Sequence, residues 1–353
     1  MKSIETRDLL LNHYQKYPNL DIQDIFKYIY QSISGCEHMI SSPSDATKRI
    51  MDEHNPYTSS TQPLIEALDG EYSRISLDCL NSGLSAQALG ILFFLSAKKE
   101  SNTKEKIKER LCIARGLIED GSLPFDLQEF DKAVSLWENT GFDALHHSAA
   151  FRESYNPSYR VISNRFVPFI PLIIEIDKGL KNGNLTVAID GGSASGKTTL
   201  STLLSEIYSC NIFHIDDFFL RPEQRTPERY KEIGGNFDRE RFLDEVLIPH
   251  SKGEAVKYRP FDCSTFELKA TEEITPKKLT IIEGAYSMHP ELTGHYDFCV
   301  FLNVSKELQR KRILKRNLPK LAKRFFNEWI PLEDAYFEKT DIKHRCKLLI
   351  EIM

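Results

Sequence analysis

Nine consecutive residues, Gly191-Gly192-Ser193-Ala194-Ser195-Gly196-Lys197-Thr198-Thr199, have the types and order needed to hold a chain of phosphates. They fit G-x-x-x-x-G-K-[ST] in full. Glycines let successive backbone N–H groups turn inward around phosphate oxygens, and a helix starting at this point adds partial positive charge. On this reading Lys197 reaches the β- and γ-phosphates and Thr198 places its hydroxyl on Mg²⁺. The flanks agree: LTVAID (185–190) is an apolar strand feeding the loop, and TTLSTLLSEIY continues as a helix. A glycine-rich turn that matched by chance would not bring the lysine, the hydroxyl and the strand together.

The signatures that would direct this loop to other chemistry are missing. No Asn-Lys pair occurs anywhere, so the N-K-x-D guanine signature is absent, and so is an L-S-G-G-Q-like segment. Further along the chain stands Phe213-His214-Ile215-Asp216-Asp217-Phe218-Phe219, two acids at the end of an apolar strand. In an open α/β sheet that end faces the ligand crevice. A carboxylate there can take the proton of an acceptor hydroxyl or hold Mg²⁺, directly or through water. A plain acidic cap on the strand is the alternative.

GGSASGKTT, a strand ending in D-D-F-F, IIEGAY, Tyr258-Arg259-Pro260-Phe261-Asp262 and YDFCVFLNVSKELQRKRILKRN together resemble the uridine kinase and phosphoribulokinase group of P-loop kinases. The similarity spans about 185–340, half the chain. It implies that Asp216 is the general base beside the acceptor hydroxyl and that Glu283 helps Thr198 hold Mg²⁺, with Asp216 close to the metal. Asp217 stands where uridine kinases have a small or polar residue, which leaves the base open between Asp216 and Asp217. The resemblance also makes the basic run from Glu307 to Arg324 a lid closing over ATP. Arg312 and Arg316 share a helical face there and are the preferred catalytic arginines. Between the acids and Glu283 lies the expected acceptor region, with RPEQRTPERYKEIGGNFD (221–238) as a loop bent at Gly234-Gly235. Tyr258, Arg259 and Asp262 best match the family's substrate-contacting segment, although Arg-Pro is not the usual nucleoside kinase pattern.

These residues need a scaffold. Short β-branched runs at 185–190, 211–216, 279–284 and 297–304 alternate with helical patterns, which indicates a mainly parallel sheet covered on both faces. The expected fold class is therefore α/β from about residue 166 to 353. Residues 1–165 read as a separate, mainly helical domain, with helices near 84–98, 103–119 and 126–139 and one strand near 72–77. Asp21 followed by Asp24 would cap the helix beginning at Ile22. Polar clusters at Gly35-Cys36-Glu37-His38, Asp52-Glu53-His54 and His146-His147, with Tyr155, Tyr159 and Arg160 beyond them, suggest satisfied polar residues or, through His38, His147 or Arg160, contacts to the acceptor.

At 353 residues, two domains are the natural division. A formal charge of -5 argues against bulk electrostatic binding of nucleic acid. Seven scattered cysteines without a C-x-x-C pair read as reduced thiols, and no apolar stretch suits a signal peptide or a membrane span, so a cytoplasmic protein is expected. The expectation is an ATP- and Mg²⁺-dependent phosphotransferase acting on a small-molecule hydroxyl, with assembly into homo-oligomers left open. The competing readings are an ATP-binding regulatory module and an ATPase coupled to a protein partner.

Overall fold

The computed structural model describes residues 6–35, 41–56, 63–97 and 103–352. The chain forms two compact units, Met1–Ile170 and Pro171–Met353.

The first unit is mainly helical. Pro18-Asn19 separates Thr6–Lys16 from Ile22–Ser34, and the second helix opens on a capping box. The Asp21 carboxylate accepts from the Ile22 amide at 2.7 Å, while Asp24 Oδ2 accepts from the Asp21 amide at 3.0 Å. Helices at Ala86–Ser96, Thr103–Glu119 and Leu127–Asn139 fall where periodicity places them. Phe26 stacks on Trp137, with ring centroids 4.9 Å apart, in a core shared with Ile29, Leu111 and Phe130. The strand Tyr72–Ser76 pairs on both sides, antiparallel to Ile65–Ala67 and to Tyr159–Ser163. Those two partners carry no alternating pattern long enough to announce a strand, and pairing with a fully buried neighbour defines them.

A buried polar network crosses this unit. The His147 ring meets Asp24 Oδ1 at 2.7 Å through Nδ1 and the Tyr159 hydroxyl at 2.6 Å through Nε2. Arg160 donates to Glu53 Oε2 at 2.9 Å. Both groups weighed as acceptor contacts are thus engaged within their own unit; Cys36, Glu37 and His38 lie outside the described residues. Arg74 is buried against Gln31 and Glu66, with the Tyr159 ring 4.8 Å from its guanidinium.

Two histidines here make stability depend on pH. His13 is buried between the Tyr17 and Tyr28 rings. Among the described residues neither of its nitrogens has a hydrogen-bond partner, and Glu66 Oε1 lies 3.8 Å away. Burial lowers His13 from 6.5 to about 4, and burial likewise lowers His147 to about 4 against the opposing pull of Asp24. The unfolded chain therefore binds more protons between these values. The stabilisation is complete above pH 6.5 and is lost as pH falls toward 4. Burial opposes the Asp24 anion, but bonds from His147 and Ser148 prevail and hold it at about 2, so its contribution persists through that window. By pH 5 each histidine is expected to remove about 2 kcal/mol. Urea titrations followed through Trp137 in a Trp329→Phe background check this, and His13→Gln should flatten the pH dependence by about half.

The second unit is an α/β layer structure. Its sheet has the order Leu348–Ile352, Phe298–Val304, Leu185–Gly191, Leu279–Glu283, Cys210–His214, with every pair parallel. The central strand Leu185–Gly191 and its neighbour Leu279–Glu283 are buried along their whole length, which is why they read as unbroken apolar runs. The chain leaves Leu185–Gly191 to one side for Cys210–His214 and later to the other for Phe298–Val304. That switch opens a crevice at the strands' carboxyl ends. The edge strand Leu348–Ile352 and the small hairpins Val256–Tyr258 with Glu272–Ile274 and Phe261–Asp262 with Glu267–Leu268 are additional to the expected elements.

The segment 221–238 is held by Arg229, which donates to the carbonyls of Gly235 and Phe237 and pairs with Glu232 and Glu240. At Gly235 an added Cβ would lie 1.8 Å from the Arg229 carbonyl oxygen. Gly235→Ala must therefore push this loop apart. A loss of about 3 kcal/mol is expected, measurable by denaturant titration of the second unit.

Candidate active site

The phosphate-loop sequence takes the form its residues require. The buried strand ends at Gly191, whose φ of 148° suits glycine and where a Cβ would meet the Leu302 carbonyl oxygen at 2.6 Å. The loop then runs into the helix Lys197–Ile207. Ala194 adopts a left-handed φ of 60°, a strained value for a residue with a side chain. Lys197 Nζ donates to the Gly191 and Gly192 carbonyls at 2.8 and 3.1 Å, which holds the ammonium against the loop. Behind it, Asp190 ties three elements together by accepting from the Gly191 amide, the Met288 amide and the Tyr336 hydroxyl. Burial pushes its carboxyl up to about 6.

Two adjoining strands deliver acids to the same end of the sheet. Glu283 closes the strand Leu279–Glu283 and is buried. Its Oε1 accepts from the Thr198 hydroxyl at 3.1 Å and lies 2.6 Å from His214 Nδ1. That bond to Glu283 raises the His214 pKa. Asp216 sits on the short turn Ile215–Phe218 after the neighbouring strand. The residue is exposed at its surface, while the protein packed around it disfavours its charge. Burial raises its carboxyl above the usual range, Lys197 pulls it back and Glu283 adds to the rise. Thr198, Glu283 and Asp216 offer only oxygen donors, which suits a hard cation such as Mg²⁺. Among the described residues no three His, Cys, Asp or Glu side chains converge on a metal-sized site, so any ion here would depend on hydroxyl and phosphate oxygens as well.

Of the expected acceptor contacts, Asp217 and Tyr258 come together. The Tyr258 hydroxyl donates to Asp217 Oδ2 at 3.2 Å, and its ring stacks on Phe218 at 5.2 Å. Burial raises Asp217 as well. Arg259 and Asp262 lie at the adjoining hairpin. Arg259 donates to the Leu268 and Lys269 carbonyls, and Asp262 accepts from the amide and hydroxyl of Ser264, so both bind their own hairpin.

The basic run forms two helices, Lys306–Arg316 and Pro319–Arg324. Arg312 reaches the loop, donating to the Ala194 and Ser195 carbonyls at 3.1 and 3.4 Å. Arg316, one turn on, lies over the Phe325 ring at 5.5 Å. Sequence reasoning missed His214, Gln309 and Glu333. His214 could have been found, because it is the last residue of an apolar strand, two positions before Asp216. Gln309 and Glu333 touch Ser193 across 116 and 140 residues, and nothing local marks them.

This second unit is a parallel five-stranded sheet flanked by helices, with the glycine-rich loop at the carboxyl end of its central strand. No protein-family model matches the sequence, and no curated protein matches it. Solved structures do resemble it. A possible uridine kinase from Bacillus stearothermophilus shares 23% identity at a TM-score of 0.38, covering 51% of this chain and 99% of that one. A Silicibacter sp. TM1040 protein described as a fructose transport system kinase shares 23% identity at a TM-score of 0.40, covering 47% and 89%. Shikimate kinase from Bacteroides thetaiotaomicron shares 14% identity at a TM-score of 0.27, covering 47% and 86%. No helix among the described residues is long and apolar enough to cross a membrane.

Proposed function

We propose that residues 166–353 are an ATP-dependent phosphotransferase that moves the γ-phosphoryl group of ATP to a hydroxyl of a small molecule, in the manner of the uridine kinase group. The observation that carries this reading is the convergence, at the carboxyl ends of adjacent parallel strands, of the Lys197 loop, the Thr198–Glu283 pair and the solvent-accessible carboxylate of Asp216.

Each group's chemistry assigns its role. The loop amides and Lys197 hold the triphosphate, with Gly191, Gly192, Ser193, Ala194, Ser195, Gly196, Thr198 and Thr199 completing the cradle. Thr198 and Glu283, with Asp216 nearby, would hold Mg²⁺, whose charge offsets that of the phosphates. Asp216 takes the acceptor's proton as its oxygen bonds to the γ-phosphorus, and ADP leaves. Asp217 and Tyr258 border the acceptor. Arg312 and Arg316 neutralise charge on the transferred group when the lid closes. Such catalysis rests on positioning and electrostatics. The helical residues 1–165 form a domain of their own in this reading, in a cytoplasmic protein.

The test is ATP consumption by the purified chain against a panel of nucleosides, sugars, sugar phosphates and amino alcohols, with products identified by mass spectrometry. One acceptor that stimulates turnover and gains a single phosphate supports the reading. ATP binding with no acceptor-dependent product across the panel favours a regulatory module, and turnover stimulated only by a protein favours a coupled ATPase.

A further inference from the structure

Ser193, third in the phosphate loop, has all three of its polar groups taken from the outside. Its amide donates to Glu333 Oε2 at 2.8 Å and its hydroxyl to Glu333 Oε1 at 2.5 Å. Its carbonyl accepts from Gln309 Nε2 at 2.9 Å. Both partners are buried, Glu333 at 5% exposure and Gln309 at 4%. The next residue is Ala194, whose left-handed backbone persists only if its surroundings impose it. Three residues beyond Glu333 on the helix Ile330–Thr340, and so on the same face, Tyr336 donates to Asp190, the residue immediately before the loop.

We infer that Glu333 is a positioning residue for nucleotide binding: its carboxylate, with Gln309, clamps Ser193 so that the strained turn at Ala194 is preformed and the remaining loop amides face the phosphates. This rests on the reading of the loop as a triphosphate site. A buried carboxylate beside that site is electrostatically costly. Burial raises its pKa, and Lys197 and Asp216 act on it with opposite signs. Two bonds to one residue of the loop are a physical reason for it to be there. They also imply that its shape matters more than its charge. Glutamine can keep both bonds, because the amide oxygen accepts from the Ser193 amide while its NH₂ donates to the Ser193 hydroxyl oxygen.

The experiment measures ATP binding by calorimetry on the full chain with Mg²⁺, which needs no knowledge of the acceptor. Glu333→Ala is expected to raise the Kd for ATP about 10- to 100-fold, and Glu333→Gln to stay within about threefold of the native chain. Ser193→Ala, which loses the hydroxyl bond alone, should fall between them. Combined with Glu333→Ala it should add little, because the partner is already gone. If Glu333→Ala does not fold, the Gln and Ser193→Ala variants still decide, since a weakened Gln variant or an unchanged Ser193→Ala variant each contradicts the clamp. A Glu333→Ala chain that melts earlier but binds ATP normally would make the residue merely structural. A native chain that binds neither ATP nor GTP would remove the triphosphate reading itself, and the clamp with it.

Discussion

Asp216→Asn should lower acceptor-dependent turnover by about 10²- to 10⁴-fold while ATP still binds. Asparagine matches aspartate in shape, so the turn Ile215–Phe218 has no reason to move, yet the amide cannot take a proton. Asp216 suits the role better than its neighbour. Among the described residues no hydrogen bond reaches its carboxylate, whereas Asp217 accepts the Tyr258 hydroxyl at 3.2 Å and offers its carbonyl to Arg241 at 2.9 Å. Asp217→Asn should therefore act mainly on the KM for the acceptor. The pH profile separates the two. A base works as its anion, so the rate falls as pH drops through the pKa of Asp216, which burial holds above the ordinary carboxylate range. The acid limb should lie correspondingly high in the native chain and be absent from the residual activity of Asp216→Asn. Native turnover in that variant would move the base elsewhere.

Lys197→Ala should cost about 10²- to 10³-fold in kcat/KM with little change in melting temperature. The two bonds that Lys197 makes are to the Gly191 and Gly192 carbonyls of its own loop. At a partly exposed position their loss costs the fold about 1 kcal/mol. The triphosphate, by contrast, would lose the only ammonium that the loop itself carries. Lys197→Arg should not restore activity, because a planar guanidinium cannot replace a compact charge enclosed by loop carbonyls. A coupled ADP assay beside a thermal melt distinguishes this from unfolding. Undiminished phosphoryl transfer in Lys197→Ala would overturn the proposed role of the loop.

Much of the second unit is legible in the sequence because its signals are contiguous. GGSASGKTT, the apolar strands and the acids after Phe213 are each a few neighbouring residues, and backbone geometry converts such runs into a loop, a sheet and a strand end without help from afar. The same holds for the Asp21–Asp24 cap and for three helices of the first unit. The edge strands Leu348–Ile352 and Tyr159–Ser163 were not legible, since each is defined by a partner far along the chain and has too short a pattern of its own. Arg259 and Asp262 illustrate the converse: a motif supplied their types, but the hydrogen bonds they make, to the Leu268 and Lys269 carbonyls and from Ser264, are set by the short hairpin beside them. Side-chain convergence was decided by tertiary structure alone. His214 and Thr198 meet on one oxygen of Glu283, and Glu333 reaches Ser193, because parallel strands and a returning helix bring distant positions within 3 Å or so of one another. Chain order thus determined which chemistry the loop can do, and packing determined which side chains hold it in the shape to do it.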